Sequence, residues 1–241
     1  MNNLARVLAI LLPMLAFAPA PAAIYNGVEF PQGAASFADQ VVNFSPGAGP
    51  APAFLDANNA LGVPDVNTTN GLACFSAPST SNCKFTSLGN AGVLTLRFTD
   101  NVLSGSSASG SAIGVGDGFN DLYLVEVGVS EATTLDISAD GNTWFNVGSI
   151  SGGAGGSIGV FTYGFDIDKF GFGTTDLFSY VRITDLVTGD PETSPEGADI
   201  DAVGAIQTAV VPVPAGIWLL PAMAVVLRRA RRRPSSTAQS A

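Results

Sequence analysis

Carboxylates are the side chains of this 241-residue chain with the widest chemical use, because the sequence holds 20 Asp and Glu but no His. Without imidazole, the chain cannot build a Ser-His-Asp or Cys-His nucleophile system, or a His-ligated zinc, haem or non-haem iron site. Two uses of carboxylates remain. Their oxygens can bind a hard cation such as calcium, or a pair of them can hydrolyse a glycosidic bond.

Candidate calcium ligands fall into three acidic groups. The groups are Asp117, Asn120, Asp121 and Glu126 beside a Gly-rich loop, then Asp166 and Asp168, then Asp199 and Asp201. On a regular strand the carboxylates of the last pair would project from one face, about 6.5 to 7 Å apart. No EF-hand spacing is present. The ligands that we predict for calcium are Asp117, Asp121, Glu126, Asp199 and Asp201. A solvated acidic surface is the alternative for each group.

Hydrolysis is the alternative use of the same carboxylates, and it requires two of them about 5 to 9.5 Å apart. The sequence does not show which carboxylates converge, so we predict a non-enzymatic protein without catalytic residues or a required cofactor, and keep a carboxylate hydrolase as an alternative. The aromatic residues that could stack on a sugar are Tyr123, Trp144, Phe145, Tyr163 and Tyr180. Trp144 follows a predicted hairpin turn, and we expect it in the core rather than on a sugar platform.

The charge distribution excludes polyanions as partners. Between Ile24 and Thr208 the sequence has four basic residues and all 20 acidic ones, a balance of −16. The basic residues of this interval are Lys84, Arg97, Lys169 and Arg182. A surface with this much negative charge repels nucleic acid and anionic lipid, and it favours cations or neutral sugars as ligands.

The elements that must position these residues are predicted to be strands. In Val93–Phe98, apolar and polar residues alternate, and Thr134–Ser138 does the same before a hairpin turn into Thr143–Val147. Further predicted strands are Gln40–Phe44, Leu122–Val127, Gly159–Tyr163, Tyr180–Thr184 and Asp199–Ile206. No stretch sustains an amphipathic helix. The pattern predicts an all-β fold, with residues 24–208 forming one β-sandwich of the jelly-roll type.

Two cysteines lie in a polar loop of this domain. Cys74 and Cys83 are nine positions apart. In an oxidising compartment this spacing favours one local disulfide, with two free thiols or an intermolecular bridge as alternatives.

The amino-terminal segment has the layout of a secretory signal peptide. Arg6 precedes an apolar run over Val7–Phe17, and small residues follow up to Ala23. We therefore predict that residues 1–23 are a signal peptide, cleaved after Ala22 or Ala23, and that the protein is exported.

The carboxy-terminal segment is apolar and then strongly basic. Residues 210–227 carry no charge, and an arginine cluster follows them. Pro212 and Pro214 confine a regular helix to about 13 residues, or about 20 Å against a hydrocarbon core of about 30 Å. We therefore predict transient association with the inner membrane rather than a permanent anchor.

This terminal segment resembles the sorting signal of PEP-CTERM proteins, in the VPLPA-CTERM variant. The matching residues are Val211, Pro212, Val213, Pro214, Ala215, Arg228, Arg229, Arg231, Arg232 and Arg233. Val213 replaces the usual Leu. The resemblance implies a sorting signal over residues 209–233, a polar tail over 234–241, and recognition by an exosortase of Gram-negative bacteria. It also implies delivery by the secretion machinery to the cell surface or to an exopolysaccharide or biofilm matrix. An ordinary single-span anchor is the alternative.

The domain itself resembles exported cell-surface proteins with a discoidin-like, galactose-binding-type jelly roll. The motifs that carry this resemblance are Phe44–Gly47, Asn59–Asp65, Ser87–Gly89, Asp121–Glu126, Ile137–Trp144, Val181–Asp185 and Ala198–Val203. The resemblance implies a sandwich of about eight strands and loops of a kind that bind carbohydrate or calcium. We expect a non-enzymatic, exported surface or matrix protein, with a calcium-assisted carbohydrate-binding module as the alternative.

Overall fold

Thirteen β-strands and four short 3₁₀ turns make up the regular structure of the described residues. The structure is a computed structural model, and it describes residues 21–66, 84–107, 110, 113–114, 116–153, 158–186 and 197–210. The strands are β1 (Ala23–Tyr25), β2 (Val28–Phe30), β3 (Gln40–Ser45), β4 (Thr86–Ser87), β5 (Val93–Arg97), β6 (Asn101–Leu103), β7 (Leu122–Gly128), β8 (Ala132–Ser138), β9 (Phe145–Ser151), β10 (Gly159–Phe165), β11 (Tyr180–Asp185), β12 (Asp199–Ala205) and β13 (Thr208–Val210). The 3₁₀ turns are Gly33–Ser36, Pro52–Phe54, Ala57–Ala60 and Ile167–Phe170. In this part of the chain, no helix has the length and apolar character needed to cross a membrane.

Two antiparallel sheets face each other across the main core. One has the strand order β10-β7-β12-β4, and the other has the order β3-β5-β11-β8-β9. Leu124 and Ile200 from the first sheet pack with Leu96, Ile137 and Ile183 from the second. The predicted all-β fold, a single β-sandwich, is therefore confirmed. Each of the eight predicted strands corresponds to one of β3, β5 and β7 to β12.

A second apolar layer covers the outer face of the four-stranded sheet. Strands β1 and β2 pair as a hairpin, and Phe30 packs with Phe37 against Val125 of β7 and Ala202 of β12. The rings of Phe30 and Phe37 lie 4.5 Å apart. Because both faces of β12 are covered, all seven of its residues are buried, whereas a strand with one solvated face would alternate.

A β-bulge in β12 separates two of the predicted calcium ligands. The register with β7 shifts at Asp201, which interrupts the alternation that would have placed Asp199 and Asp201 on one face. Asp199 accepts a hydrogen bond from the Ser87 hydroxyl. Asp201 instead accepts from the backbone of residues 65–66. The structure therefore does not bring these two carboxylates to a shared site, in contrast to the expectation.

Several predictions concern segments outside the described residues. The predicted disulfide between Cys74 and Cys83 lies there, and so does most of the predicted sorting signal over residues 209–233. The predicted signal peptide also lies there, except for residues 21–23. These interpretations stay predictions.

Candidate functional site

An open groove lies where the β1–β2 turn meets the loop that enters β7 and the end of β12. Its volume is about 520 Å³, and the residues that line it are Gly27, Val28, Glu29, Ser106, Phe119, Asn120, Tyr123, Ile206 and Gln207. The Phe119 side chain is 70% exposed. Exposure of a large aromatic ring beside amide and carboxylate side chains is typical of a binding surface rather than of a core.

Local hydrogen bonds fix the aromatic side of the groove. The backbone N–H of Phe119 donates to Asp117 Oδ1 over 2.9 Å, which is a two-residue turn closed by the Asp side chain. Asn120 Nδ2 donates to Tyr123 Oη over 3.3 Å. The Tyr123 ring packs edge-on against Phe30, with their centroids 6.1 Å apart. The groove therefore has one ring held by the sheet and one ring carried by a loop.

Strand pairing brings two of the predicted acidic groups together beside this groove. Because β10 pairs with β7 with Phe165 opposite Leu122, the residues that follow β10 lie next to those that precede β7. As a result, the carboxylates of Asp117, Asp166 and Asp168 offer oxygens that lie within 4.8 Å of one another. This cluster is called the acidic triad below.

Hydroxyl and backbone groups hold the acidic triad from the groove side. Ser106 Oγ lies 2.5 Å from Asp117 Oδ2 and 2.8 Å from Asp168 Oδ2, so its one hydrogen can be donated to either carboxylate. The N–H groups of Ser106 and Ser107 donate to the two oxygens of Asp168, each over 3.0 Å. Burial alone would raise the pKa of Asp168, but these hydrogen bonds outweigh it and lower that pKa.

Asp121, a predicted calcium ligand, lies beside the acidic triad. Its Oδ2 accepts from the N–H of Ile167 over 2.9 Å. Burial raises its pKa to about 7; the Ile167 hydrogen bond opposes this rise, and the charges of Asp168 and Asp166 add to it. Asp117 and Asp121 are therefore the two predicted ligands that the structure brings to one place.

Glu126 and Asp199 belong to a separate acidic group inside the sandwich. Glu126 is fully buried, and its Oε1 accepts from the N–H of Glu131 over 2.7 Å. Burial raises the pKa of Glu126 to about 9; the Glu131 N–H opposes this rise, and the nearby carboxylates of Glu131, Asp199 and Asp185 add to it. Burial therefore favours the protonated form of Glu126 when no cation is bound, and the hydrogen bond from Glu131 assigns this carboxyl group to a different part of the chain from Asp117 and Asp121.

Asp201, the fifth predicted ligand, has a third location. Its Oδ1 accepts from Asp65 N–H over 3.4 Å and its Oδ2 from Val66 N–H over 3.2 Å. Burial raises the pKa of Asp201 to about 8, and the Asp65 charge adds to the rise. Asp201 therefore connects β12 to the segment that contains Val66.

Trp144 lies outside the core, which corrects the expectation from its hairpin position. Its half-buried ring packs under the Arg182 guanidinium, whose carbon lies 4.3 Å from the ring centroid. Arg182 Nε and Nη2 both donate to Asp136 Oδ2, over 3.1 and 2.8 Å. Tyr180 is covered in the same way by Arg97, at 5.2 Å. Because a guanidinium occupies one face of each ring, these aromatics offer less surface to a sugar than an uncovered ring.

The other candidate aromatics lie away from the groove. Tyr163 and Phe161 stack with their centroids 6.2 Å apart, in a second open cavity of about 500 Å³ beside β9 and β10. The Tyr163 hydroxyl already donates to Ser130 Oγ. Phe145 packs edge-on against Phe172, 5.1 Å away. Among the described residues that line the cavity beside Tyr163, none has an amide or carboxylate side chain.

Three residues that line the groove, Phe119, Glu29 and Gln207, were not predicted from the sequence. Phe119 lies inside the predicted acidic loop, so an aromatic residue between Asp117 and Asp121 was the available signal. No comparable signal marks Glu29 or Gln207, which reach the groove through the β1–β2 hairpin and the end of β12.

Comparison with known proteins gives distant structural similarity. No family model matches the chain, and no curated protein matches it. The C-terminal domain of a chitobiase from Bacteroides fragilis is 11% identical, with a TM-score of 0.39 over 74% of this chain and 97% of that one. CpGH89CBM32-4 from Clostridium perfringens, in complex with GlcNAc-α-1,4-galactose, is 10% identical, with a TM-score of 0.38 over 70% and 95%. A family 29 carbohydrate-binding module from Piromyces equi is 12% identical, with a TM-score of 0.30 over 53% and 72%.

Proposed function

We propose that this β-sandwich is a non-enzymatic carbohydrate-binding domain and that the groove beside Phe119 is its binding site. The observation that carries the proposal is the exposed Phe119 ring, which shares an open groove with Tyr123, Asn120, Gln207 and Glu29. A sugar ring has apolar C–H faces that pack on aromatic rings, and hydroxyl groups that bond to amide and carboxylate side chains. The net negative charge of the domain favours a neutral sugar.

The composition of the groove supports binding rather than hydrolysis. Glycoside hydrolysis uses two carboxyl groups on either side of the scissile bond. Of the residues that line the groove in the described part of the chain, Glu29 alone has a carboxylate. A bound sugar would therefore meet one acid and two amides, which can orient it without providing an acid–base pair.

Replacement of Phe119 by Ala tests this proposal. We expect wild-type protein to bind at least one neutral glycan on an array, and Phe119→Ala to bind that glycan about tenfold more weakly in calorimetry, because the exposed ring is lost. Phe145→Ala is the matched control, since it truncates another partly exposed Phe outside the groove. A blank array, or equal affinities for wild type and Phe119→Ala, would contradict the proposal.

We further propose that the domain is exported and sorted by an exosortase to the cell surface or an exopolysaccharide matrix. The support is the order of features at the carboxy terminus: a Pro-rich motif over residues 211–215, an apolar segment, and five arginines. Such a protein would hold a sugar-binding domain where polysaccharide is present.

Mass spectrometry of the surface-associated protein tests the sorting proposal. We expect the mature polypeptide to begin near residue 23 and to lack residues 218–233, because exosortase cleavage removes the apolar segment and the arginines. The same measurement on cells without exosortase activity is the control, and there the carboxy-terminal peptide should remain. A surface form that retains Trp218 to Arg233 would contradict the proposal.

A further inference from the structure

The acidic triad has the geometry of a cation site built from two distant segments. Asp117 precedes β7, whereas Asp166 and Asp168 follow β10, and their closest oxygens lie within 4.8 Å of one another. Calcium binds oxygens at about 2.3 to 2.6 Å, so oxygens on opposite sides of one ion are up to about 5 Å apart. The three carboxylates can therefore contact a single ion.

The burial and hydrogen bonding of Asp166 support a cation site at the acidic triad. The residue is 4% exposed, and neither of its carboxylate oxygens accepts a hydrogen bond within the described residues. Lys169 Nζ lies 3.6 Å from Asp166 Oδ2, but the lysine side chain is 53% exposed and can turn into solvent. A buried carboxylate without hydrogen bonds is unfavourable unless another positive group compensates it.

A second buried carboxylate, that of Asp121, and the backbone of Gly116 lie beside the acidic triad. Oδ1 of the fully buried Asp121 also lacks a hydrogen bond in this part of the chain. The backbone of Gly116 passes so close to Asp166 that a Cβ at this position would lie 2.3 Å from Asp166 Oδ2. Gly116 has a φ of +55°, so a side chain there would be both strained and in collision.

We propose that Asp117, Asp166 and Asp168, with Asp121 alongside, bind a divalent cation of the calcium class. The donors are all oxygens, and this chain has no imidazole to attract zinc or copper. Three or four carboxylates leave coordination positions for water or backbone carbonyls, which the flexible geometry of calcium tolerates better than the strict octahedron of magnesium.

The site is connected to the groove through Asp117. This carboxylate accepts from the N–H of Phe119 and from the hydroxyl of Ser106, and both of these residues line the groove. An ion that fixes Asp117 therefore fixes the loop that carries Phe119. If the proposed carbohydrate function holds, this connection implies that calcium raises the affinity of the domain for sugar. By thermodynamic linkage, bound sugar then raises the affinity for calcium by the same factor.

Thermal unfolding of the full chain tests the ion site without any sugar. After removal of metal with chelator, we expect saturating calcium chloride to raise Tm by about 5 to 10 °C, and magnesium chloride to raise it much less. Asp166→Asn should lose this shift, because it removes one of the three carboxylates that would bind the ion. The substitution breaks no hydrogen bond within the described residues, so we expect the fold itself to be retained. Asp56→Asn is the control: it makes the same charge change at an exposed residue that caps a 3₁₀ turn elsewhere. If Asp166→Asn is poorly folded by circular dichroism, Asp117→Asn, at an exposed position, replaces it.

Each result either supports or overturns the proposal. Absence of a calcium shift in wild type, or a full shift in the triad variant, would overturn the ion site. Equal sugar affinity in calcium and in chelator would overturn the connection to the groove. A calcium shift in a protein that binds no glycan would leave the ion site standing and remove the proposed function. Phe119→Ala should keep the calcium shift while it loses sugar affinity, which separates the two.

Discussion

Replacement of Gly92 by Ala is expected to destabilise the domain by about 3 kcal/mol, the upper part of the range for an overpacked buried site. An ideal Cβ at this position would lie 1.8 Å from the carbonyl oxygen of Leu88 and 2.9 Å from the backbone nitrogen of Gly47. Both are backbone atoms, so no side-chain rotation can relieve the collision. Urea unfolding followed by circular dichroism should show a lower midpoint, and Tm should fall by about 6 to 12 °C.

The expected loss is large because three chain segments cross at this point. Gly47 N–H donates to Leu88 O, and Gly92 N–H donates to Gly89 O, each over 2.8 Å, while Gly92 O accepts from Asp185 N–H over 2.9 Å. A shift of the Gly92 backbone would therefore disturb a turn, a loop contact and the end of β11 together.

Gly153→Ala is the matched control for this prediction. The nearest atoms to a Cβ at Gly153 belong to Ser130, at 3.7 and 3.9 Å, which is ordinary contact. We expect a change within about 0.5 kcal/mol, and a small gain is reasonable because Ala restricts the unfolded chain. Similar unfolding midpoints for the Gly92 and Gly153 variants would contradict the prediction, because they would show that the backbone around Gly92 has room for a Cβ.

Local alternation was sufficient to predict the central strands. In β5, Leu94 and Leu96 face the main core while Thr95 and Arg97 alternate with them, and this period can be recognised without tertiary information. The strands that were missed are short: β4 has two residues, and β1, β2, β6 and β13 have three each. Such strands exist because a neighbouring chain supplies hydrogen bonds, and a window of two or three residues has no measurable period.

The covering of β12 could not be predicted from its own sequence. One face of β12 packs in the main core, and the burial of its other face comes from Phe30 and Phe37, which are about 170 residues away along the chain. The bulge at Asp201 likewise depends on the pairing with β7. For this reason β12 was correctly predicted as a strand while the orientation of its two aspartates was not.

The acidic groups that form the candidate ion site could be predicted from the sequence, but their meeting could not. The groups around Asp117 and Asp166 were each identified, but as separate groups, because their meeting depends on the register that places Phe165 opposite Leu122. Register is set by long-range pairing rather than by composition. The groove required even more tertiary information, since it joins a hairpin, a loop and a strand end.

Replacement of Asp201 by Ala is the second change for which we expect a large loss of stability, about 2 to 4 kcal/mol. The Asp201 carboxylate is buried and accepts from the N–H groups of Asp65 and Val66. Loss of the acceptor leaves the buried N–H of Val66 unsatisfied, which costs about 1 to 3 kcal/mol, whereas the N–H of the exposed Asp65 can bond to water. It also releases Val66 from its contacts with Phe85 and Val127. Urea unfolding at pH 5 measures the effect.

Asp201→Asn is the control, and its stability should depend on pH in a defined direction. Asn keeps one acceptor oxygen, so we expect a loss of about 1 kcal/mol at pH 5. Burial and the Asp65 charge raise the folded-state pKa of Asp201 from 3.8 to about 8, so folded wild type retains a proton that the unfolded chain releases within this range. The contribution of this group to stability is therefore full below pH 3.8 and falls as pH rises toward 8.

The Asn side chain has no such proton. The difference in unfolding free energy by which wild type exceeds Asp201→Asn should therefore shrink from pH 5 to pH 8.5, measured in chelator. A difference that is constant over this range would mean that the Asp201 carboxylate is already ionised in the folded domain.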